Sequence, residues 1–302
     1  MYRWGYTKVS PLRRSATMPP YSKQSTSSAT YFHKGLMRAE MTGDDIQRAD
    51  TELRAKHRDV FPATPWNAVR RNCAILPLVA GKGRRVIDIG GGVSVIAGIL
   101  ARLGCDVCVL DNFEYDLGWI TATGDDDFAA TTSQRREALT SEGVRFIDCD
   151  LCDVSLTQWF EPETIDAVVS FHCFEHLHHS PRGLLKSALE VMRPGGVLLL
   201  ETPNAVNLLK RVKVLAGYTN YASYADYWNA PKFGGHIREY SVGDFHEMAT
   251  LLGVHDYKVY GRNWFGKLEA AVGHGLAFQL ADGMLRTVPG FCGSLFFEAR
   301  KS

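Results

Sequence analysis

From Thr42 onward the chain alternates short apolar runs with stretches whose apolar residues recur at helical spacing. The apolar runs fall near Arg85–Ile89, Asp106–Leu110, Val144–Asp148, Ile165–Ser170, Gly196–Glu201, His255–Tyr260 and Ser294–Ala299. The first five are separated by helical stretches, the pattern of parallel strands covered on both faces. Ahead of them, "TGDDIQRADTELRAKH" opens on a Thr/Asp cap signal and reads as a polar helix. The more apolar "TPWNAVRRNCAILPLVAG" is expected to pack on the sheet. The elements predict an α/β fold with a seven-stranded, mostly parallel sheet and helices on both faces.

Two connections are too long for simple loops: Phe113–Gly143, with its acidic "GDDD", and Asn204–His236, rich in Tyr, Trp, Lys and Arg. In open α/β sheets ligands bind beyond the carboxyl ends of the strands, so a lid-like insertion is expected at about 204–236. A second, helical insertion is expected at about 264–287. Within it, Trp264–Leu285 is apolar but interrupted by Lys267, Glu269, His274 and Asp282, so it reads as a packed insertion rather than a membrane span. Residues 1–41 form a separate unit by composition. Residues 1–40 hold seven Lys/Arg against one acid, and ten of the first 30 are Ser or Thr. The reading is a disordered basic tail. A transit peptide and a misassigned start, with Met18 and Met37 as later candidates, are the alternatives.

Composition narrows the function classes. The 302 residues are 45% hydrophobic with a net charge of +1, so bulk charge gives no case for a nucleic-acid partner. No apolar run approaches the roughly 18 residues of a membrane span. Seven cysteines favour a reducing, cytoplasmic compartment over a disulfide framework. The pairs Cys105/Cys108 and Cys149/Cys152 sit at opposite ends of neighbouring strands, about 17 Å apart for a five-residue strand, too far for one zinc ion.

The chemistry centres on "VIDIGGGVSVIAGIL", residues 86–100. Counting from Gly90 and Gly92, the third glycine of a dinucleotide fingerprint is replaced by Val95. Asp88 would also set a carboxylate beside a pyrophosphate, an unfavourable pairing of anions. A cofactor carrying positive charge meets no such objection. Gly90 allows the tight turn, Gly92 lets the backbone approach a ligand, and Ser94 is a good N-cap. At Asp111, closing "CDVCVLDN", a carboxylate can accept both hydrogens of a ribose diol. NAD enzymes use that device too, so Asp111 supports an adenosine ligand without choosing the cofactor.

With "DIGGGVS" read as acid, apolar residue and G-x-G-x-G with Ser94 in the last position, the sequence resembles the class I S-adenosylmethionine-dependent methyltransferases. Further matches follow in order: "VRFIDCDLCD", "IDAVVSFHCFEHLHHSP" with Glu175, His176 and Leu177, "LEVMRPGGVLLLETPN", and "GGHIREYSVGDFHEMATLLGVH". The resemblance spans about Arg85–His255. It implies a Rossmann-like class I methyltransferase domain over 42–302, with the last strand antiparallel. It implies S-adenosyl-L-methionine as cofactor, held by Asp88, Gly90, Gly91, Gly92, Asp111, Asn112 and Ser170, with Asp150 and Leu151 at the adenine.

Methyl transfer from a sulfonium is an in-line displacement of an activated donor, so the protein mainly aligns the nucleophile and excludes water. A hydroxyl nucleophile benefits from a general base, and the candidates are His172, His176 and His236, with His176 slightly favoured. A metal reading groups His172, Glu175 and His176 with His179 or His236. In the relatives that bind metal this way an acid stands where this chain has His172, and no metal is expected. In "NAVNLLKRVKVLAG", Val206, Leu209, Val212 and Leu215 recur at helical spacing opposite Lys210, Arg211 and Lys213. That is an amphipathic lid helix, or a surface for a phosphate-bearing or lipid-linked substrate and peripheral membrane contact. Tyr218, Tyr221, Tyr224, Tyr227 and Trp228 follow, able to stack on a sugar or aromatic acceptor. The expected function is O-methylation of a small molecule or a glycan or lipid intermediate. An NAD(P)-dependent oxidoreductase and a non-catalytic cofactor-binding scaffold are the alternatives. Oligomeric state stays open.

Overall fold

The computed structural model describes residues 41–61, 66–113, 128–229, 233–263 and 276–302. The basic N-terminal segment (1–40) and the acidic "GDDD" lie outside the described residues.

Seven strands form one sheet: β1 (Arg85–Ile89), β2 (Asp106–Asp111), β3 (Arg145–Asp148), β4 (Ile165–Phe171), β5 (Met192–Pro203), β6 (Tyr257–Arg262) and β7 (Ser294–Arg300). Their spatial order is β3-β2-β1-β4-β5-β7-β6. The pairs among β1 to β5 are parallel, and β7 runs antiparallel to both β5 and β6. The expected mostly parallel sheet with an antiparallel last strand is therefore what forms. Most strand boundaries differ by a residue or two, and two starts differ by two or more. β5 starts at Met192 because Met192 already pairs with Ile165, ahead of an irregularity between Ile165 and Ala167. β6 starts at Tyr257, two residues beyond the expected His255.

Nine described helices accompany the sheet: α1 (Gly43–Lys56), α2 (Trp66–Ile75), α3 (Val95–Arg102), α4 (Phe128–Ser141), α5 (Arg182–Val191), α6 (Leu208–Leu215), α7 (Tyr224–Asn229), α8 (Val242–Leu252) and α9 (Leu276–Arg286). Side chains alternate across each strand, and the alternation builds two cores. Val86, Val107, Val109, Ala167, Val169 and Leu199 face one core with Ile46, Leu53, Ile99 and Leu100 from α1 and α3. Ile87, Ile89, Leu110, Val168, Leu198 and Leu200 face the other with Leu185 of α5 and Phe245 of α8. Continuous apolar runs in the central strands reflect this burial on both faces. Capping boxes start α1 (Thr42 with Asp45) and α8 (Ser241 with Asp244), and Ser94 caps α3 by accepting from the Ile96 amide.

The chain leaves β1 toward β2 on one side, while β4 lies on the other. This reversal opens a crevice beyond the carboxyl ends of β1 and β4. The lid-like stretch contains α6 and α7. Of the second insertion, residues 264–275 lie outside the described residues, and α9 is packed on one side only. Phe278 and Asp282 of α9 are buried, but Leu276, Leu280 and Met284 are exposed.

Candidate active site

Asp88 is the penultimate residue of β1 and is 1% exposed. Neither carboxylate oxygen has a hydrogen-bond partner among the described residues. Burial, with the Asp111 charge acting in the same direction and Arg71 opposing it, pushes this carboxyl up to about 7. The glycine turn lies directly on it: a Cβ at Gly91 would stand 2.3 Å from Asp88 Oδ2. At Gly90 φ is +69°, and a Cβ there would meet Cys173 Sγ at 2.2 Å. Leu151 closes on the same turn, 3.6 Å from that Cβ position. These two glycines let the turn pass between β1, Asp88 and the segment that follows β4.

Asp111 ends β2. Its Oδ2 accepts from the Gly92 amide at 2.9 Å and its Oδ1 from the Phe113 amide at 3.0 Å. Each oxygen keeps a second lone pair, enough for the two hydroxyls of a diol. Burial raises this carboxyl, against the backbone hydrogen bonds that lower it. Asn112 is exposed beside it. Asp150 is exposed, and its Oδ1 accepts from the Cys152 amide at 2.9 Å. Asp148, its neighbour at the end of β3, is instead paired with Arg136 at 2.6 Å. Ser170 is buried and donates to the Ile89 carbonyl at 2.8 Å. It braces β4 against β1 from below the turn.

The donor set suits S-adenosylmethionine. A buried, unpartnered carboxylate under a glycine turn calls for positive charge, and Asp111 stands beside it with lone pairs for a diol.

Beyond β4 the chain enters a charged cluster. His172 has φ of +55°, and Phe113, in the corresponding place after β2, has φ of +52°. For residues with side chains these are strained conformations, of the kind that gather at ligand sites. His172 Nδ1 lies 3.3 Å from Glu175 Oε1, and its Nε2 lies 3.4 Å from Glu201 Oε1. Burial works against charge on this ring. The hydrogen bonds and charges of Glu175 and Glu201 outweigh it and raise His172 to about 9. Both acids have fully buried side chains. Arg71 of α2 approaches Glu201 Oε2 at 3.4 Å. His172 is thus charged at neutral pH and does not offer a free lone pair there.

His176 and His236 differ from it. The His176 Nδ1 lies 3.0 Å from the Gly234 carbonyl, which only accepts, so Nδ1 carries a hydrogen. His236 Nδ1 lies 2.8 Å from Glu239 Oε1. Burial raises Glu239, but its bonds to His236 and Lys210 outweigh this and hold it below the usual range. The two rings meet edge to face, centroids 4.9 Å apart. One ligand atom each from Glu175, His176 and His236 lies within 4.8 Å of the others. His236 also lines a cavity of about 470 Å³, with Tyr221, Tyr224, Tyr227, Phe233 and Ile237.

The three candidate bases therefore fall in one cluster, and the two buried acids act on His172. Arg71, Glu201 and Glu239 were not expected. A lone acid in the apolar strand "LLLET" was the available signal for Glu201. All seven cysteines are unpaired. No helix among the described residues is long and apolar enough to cross a membrane.

A family described as a methyltransferase domain matches residues 57–257. No curated protein matches the chain. Among solved structures, a Thermotoga maritima S-adenosylmethionine-dependent methyltransferase, described as a possible histamine N-methyltransferase, is 15% identical. It superposes over 76% of this chain and 87% of its own, with a TM-score of 0.47. The Haemonchus contortus phosphoethanolamine N-methyltransferase 2 is 18% identical over 89% of this chain and 61% of its own, TM-score 0.47. A Mesorhizobium loti S-adenosylmethionine-dependent methyltransferase is 18% identical over 80% and 99%, TM-score 0.48. Likenesses this weak say nothing about an acceptor.

Proposed function

The chain belongs to the methyltransferase domain family, in the class I S-adenosylmethionine-dependent superfamily, and from that premise we propose that it methylates a hydroxyl of a small molecule or of a glycan or lipid intermediate. Membership sets aside the oxidoreductase alternative. The observation that carries the acceptor reading is the His236–Glu239 dyad in the wall of an aromatic cavity.

When bound, the cofactor supplies a methyl group already activated on a sulfonium. The chain's own residues do the rest. Asp111 accepts from the ribose hydroxyls, and Asp88 supplies negative charge beneath the turn. Asp150 and Leu151 flank the adenine. The aromatic side chains hold the acceptor body. Glu239 accepts a hydrogen bond from the Nδ1–H of His236, which leaves Nε2 to accept the acceptor's hydroxyl proton. His176 presents a second Nε2 beside it. His172, kept charged, neutralises the buried Glu175 and Glu201 and acts as a positioning residue. The test is methyl transfer from labelled S-adenosylmethionine across a panel of phenols, sugars and polyprenyl or glycolipid hydroxyls. Turnover lost in His236→Ala, with cofactor affinity kept, supports the assignment. Turnover on none of the panel, or full turnover without His236, contradicts it.

A second reading rests on the same three side chains. Glu175, His176 and His236 form a donor set that fits a divalent cation. A cation there would acidify an acceptor hydroxyl, and His236 would serve as ligand rather than base. Metal analysis of the purified chain, and its activity with and without chelator, decides between the two.

A further inference from the structure

α6 and α9 both expose apolar rows. On α9, Leu276 (71% exposed), Leu280 and Met284 (74%) recur every fourth residue, and Val288 continues the row beyond the helix. Phe278 and Asp282, on the other side, are almost completely buried, so the helix is anchored and the row is turned outward. On α6, Leu209, Val212 and Leu215 make a second outward row, with Leu215 88% exposed. The two rows belong to neighbouring elements. Arg211 of α6 lies over the Phe291 ring at 5.5 Å, in the turn after α9. Asn204, just before α6, donates to the Gly290 and Cys292 carbonyls at 3.0 and 2.8 Å.

Charge identifies the occupant. Residues 204–229 carry Lys210, Arg211 and Lys213 against one acid, Asp226; Lys210 is paired with Glu239, which leaves Arg211 and Lys213 as the cations of the face. Tyr218, Tyr224 and Trp228 stand exposed around them, the residue types that settle at a bilayer's headgroup layer. A second copy meeting this face by a two-fold axis would bring two cationic faces together. Apolar rows with cations and an aromatic fringe suit a lipid surface of opposite charge.

We propose that α6, α7 and α9 form a docking face for an anionic lipid bilayer. Tyr221, Tyr224 and Tyr227 line the cavity described above, so the docked face brings that cavity to the membrane. A lipid-borne acceptor then reaches it without leaving the bilayer. The docking does not depend on methyl transfer; only the acceptor's route rests on the proposed function.

The test is sedimentation of the full chain with phosphatidylcholine vesicles, with and without phosphatidylserine. Light scattering and S-adenosylmethionine calorimetry are run on the same samples. Leu215→Ser with Met284→Gln alters exposed side chains only and is expected to weaken partitioning about tenfold. Lys213→Glu is expected to weaken it about fivefold in the phosphatidylserine vesicles alone. Absence of binding to either vesicle, or equal binding by the variants, overturns the proposal. So does an oligomer that the double variant dissolves, since the face would then join copies of the chain. A chain that binds the cofactor and no vesicle loses this proposal and keeps the enzyme. One that binds vesicles and no cofactor does the reverse.

Discussion

Glu201→Gln isolates the charge balance around His172. Glu175 and Glu201 stand at nearly equal distances from the ring, 3.3 and 3.4 Å, and together they raise it from 6.5 to about 9 against the burial that lowers it. A change of that size corresponds to about 3.4 kcal/mol at about 1.4 kcal/mol per pH unit. The His172 side chain is 35% exposed, so solvent screening reduces the figure to about 2 kcal/mol. Removing one of two near-equal acids takes at least half of this, because the pair also offsets the burial that lowers the ring, and the titration midpoint of His172 falls by about 0.7 pH unit or more. The assay is an NMR titration of the ring protons in wild type and variant. An unchanged midpoint refutes the argument that the two acids share the ring. The stability consequence has a fixed sign. A folded pKa above the unfolded one stabilises fully below pH 6.5, and that contribution is lost as pH rises through about 9.

Asp88→Asn removes a buried carboxyl whose folded pKa is raised to about 7. The cost of the group to folding builds as pH rises from 3.8 to about 7 and is full above that, so the variant gains on the order of 2 kcal/mol in urea unfolding at pH 8, while cofactor affinity falls. Gly91→Ala places a methyl 2.3 Å from Asp88 Oδ2; circular dichroism melts are expected to show a loss of about 2 kcal/mol, and native stability would contradict the packing. His236→Ala is expected to lower kcat by about 10²-fold or more, and Glu239→Gln by less, with the S-adenosylmethionine Kd unchanged in both.

The sheet was legible because its central strands are buried on both faces and so read as short continuous apolar runs. The glycine turn was legible because close approach to Asp88 and Cys173 admits no side chain at Gly91 or Gly90. The start of β5 was not, because an irregular pairing at Met192 leaves no periodic trace. Nor was the state of His172. It depends on Glu201, which is 29 residues away in sequence and arrives only when β5 pairs with β4. The same pairing-dependent logic hid Arg71, which reaches Glu201 from α2. The tyrosines after α6 were visible as a group, but their closure with Phe233 and His236 into one cavity is a tertiary fact. Helical spacing found the apolar row of α6 and left open what it faces. The structure turns that row outward.

The central claim is that the turn over Asp88, together with Asp111, holds S-adenosylmethionine. Titration calorimetry of the wild type with S-adenosylmethionine, S-adenosylhomocysteine and NAD, with Asp111→Ala alongside, tests it most directly. The account predicts binding of the first two, no binding of NAD, and an affinity about 100-fold weaker in the variant from the lost charge-assisted hydrogen bonds. Binding of NAD with no response to either methyl-cycle ligand would contradict it.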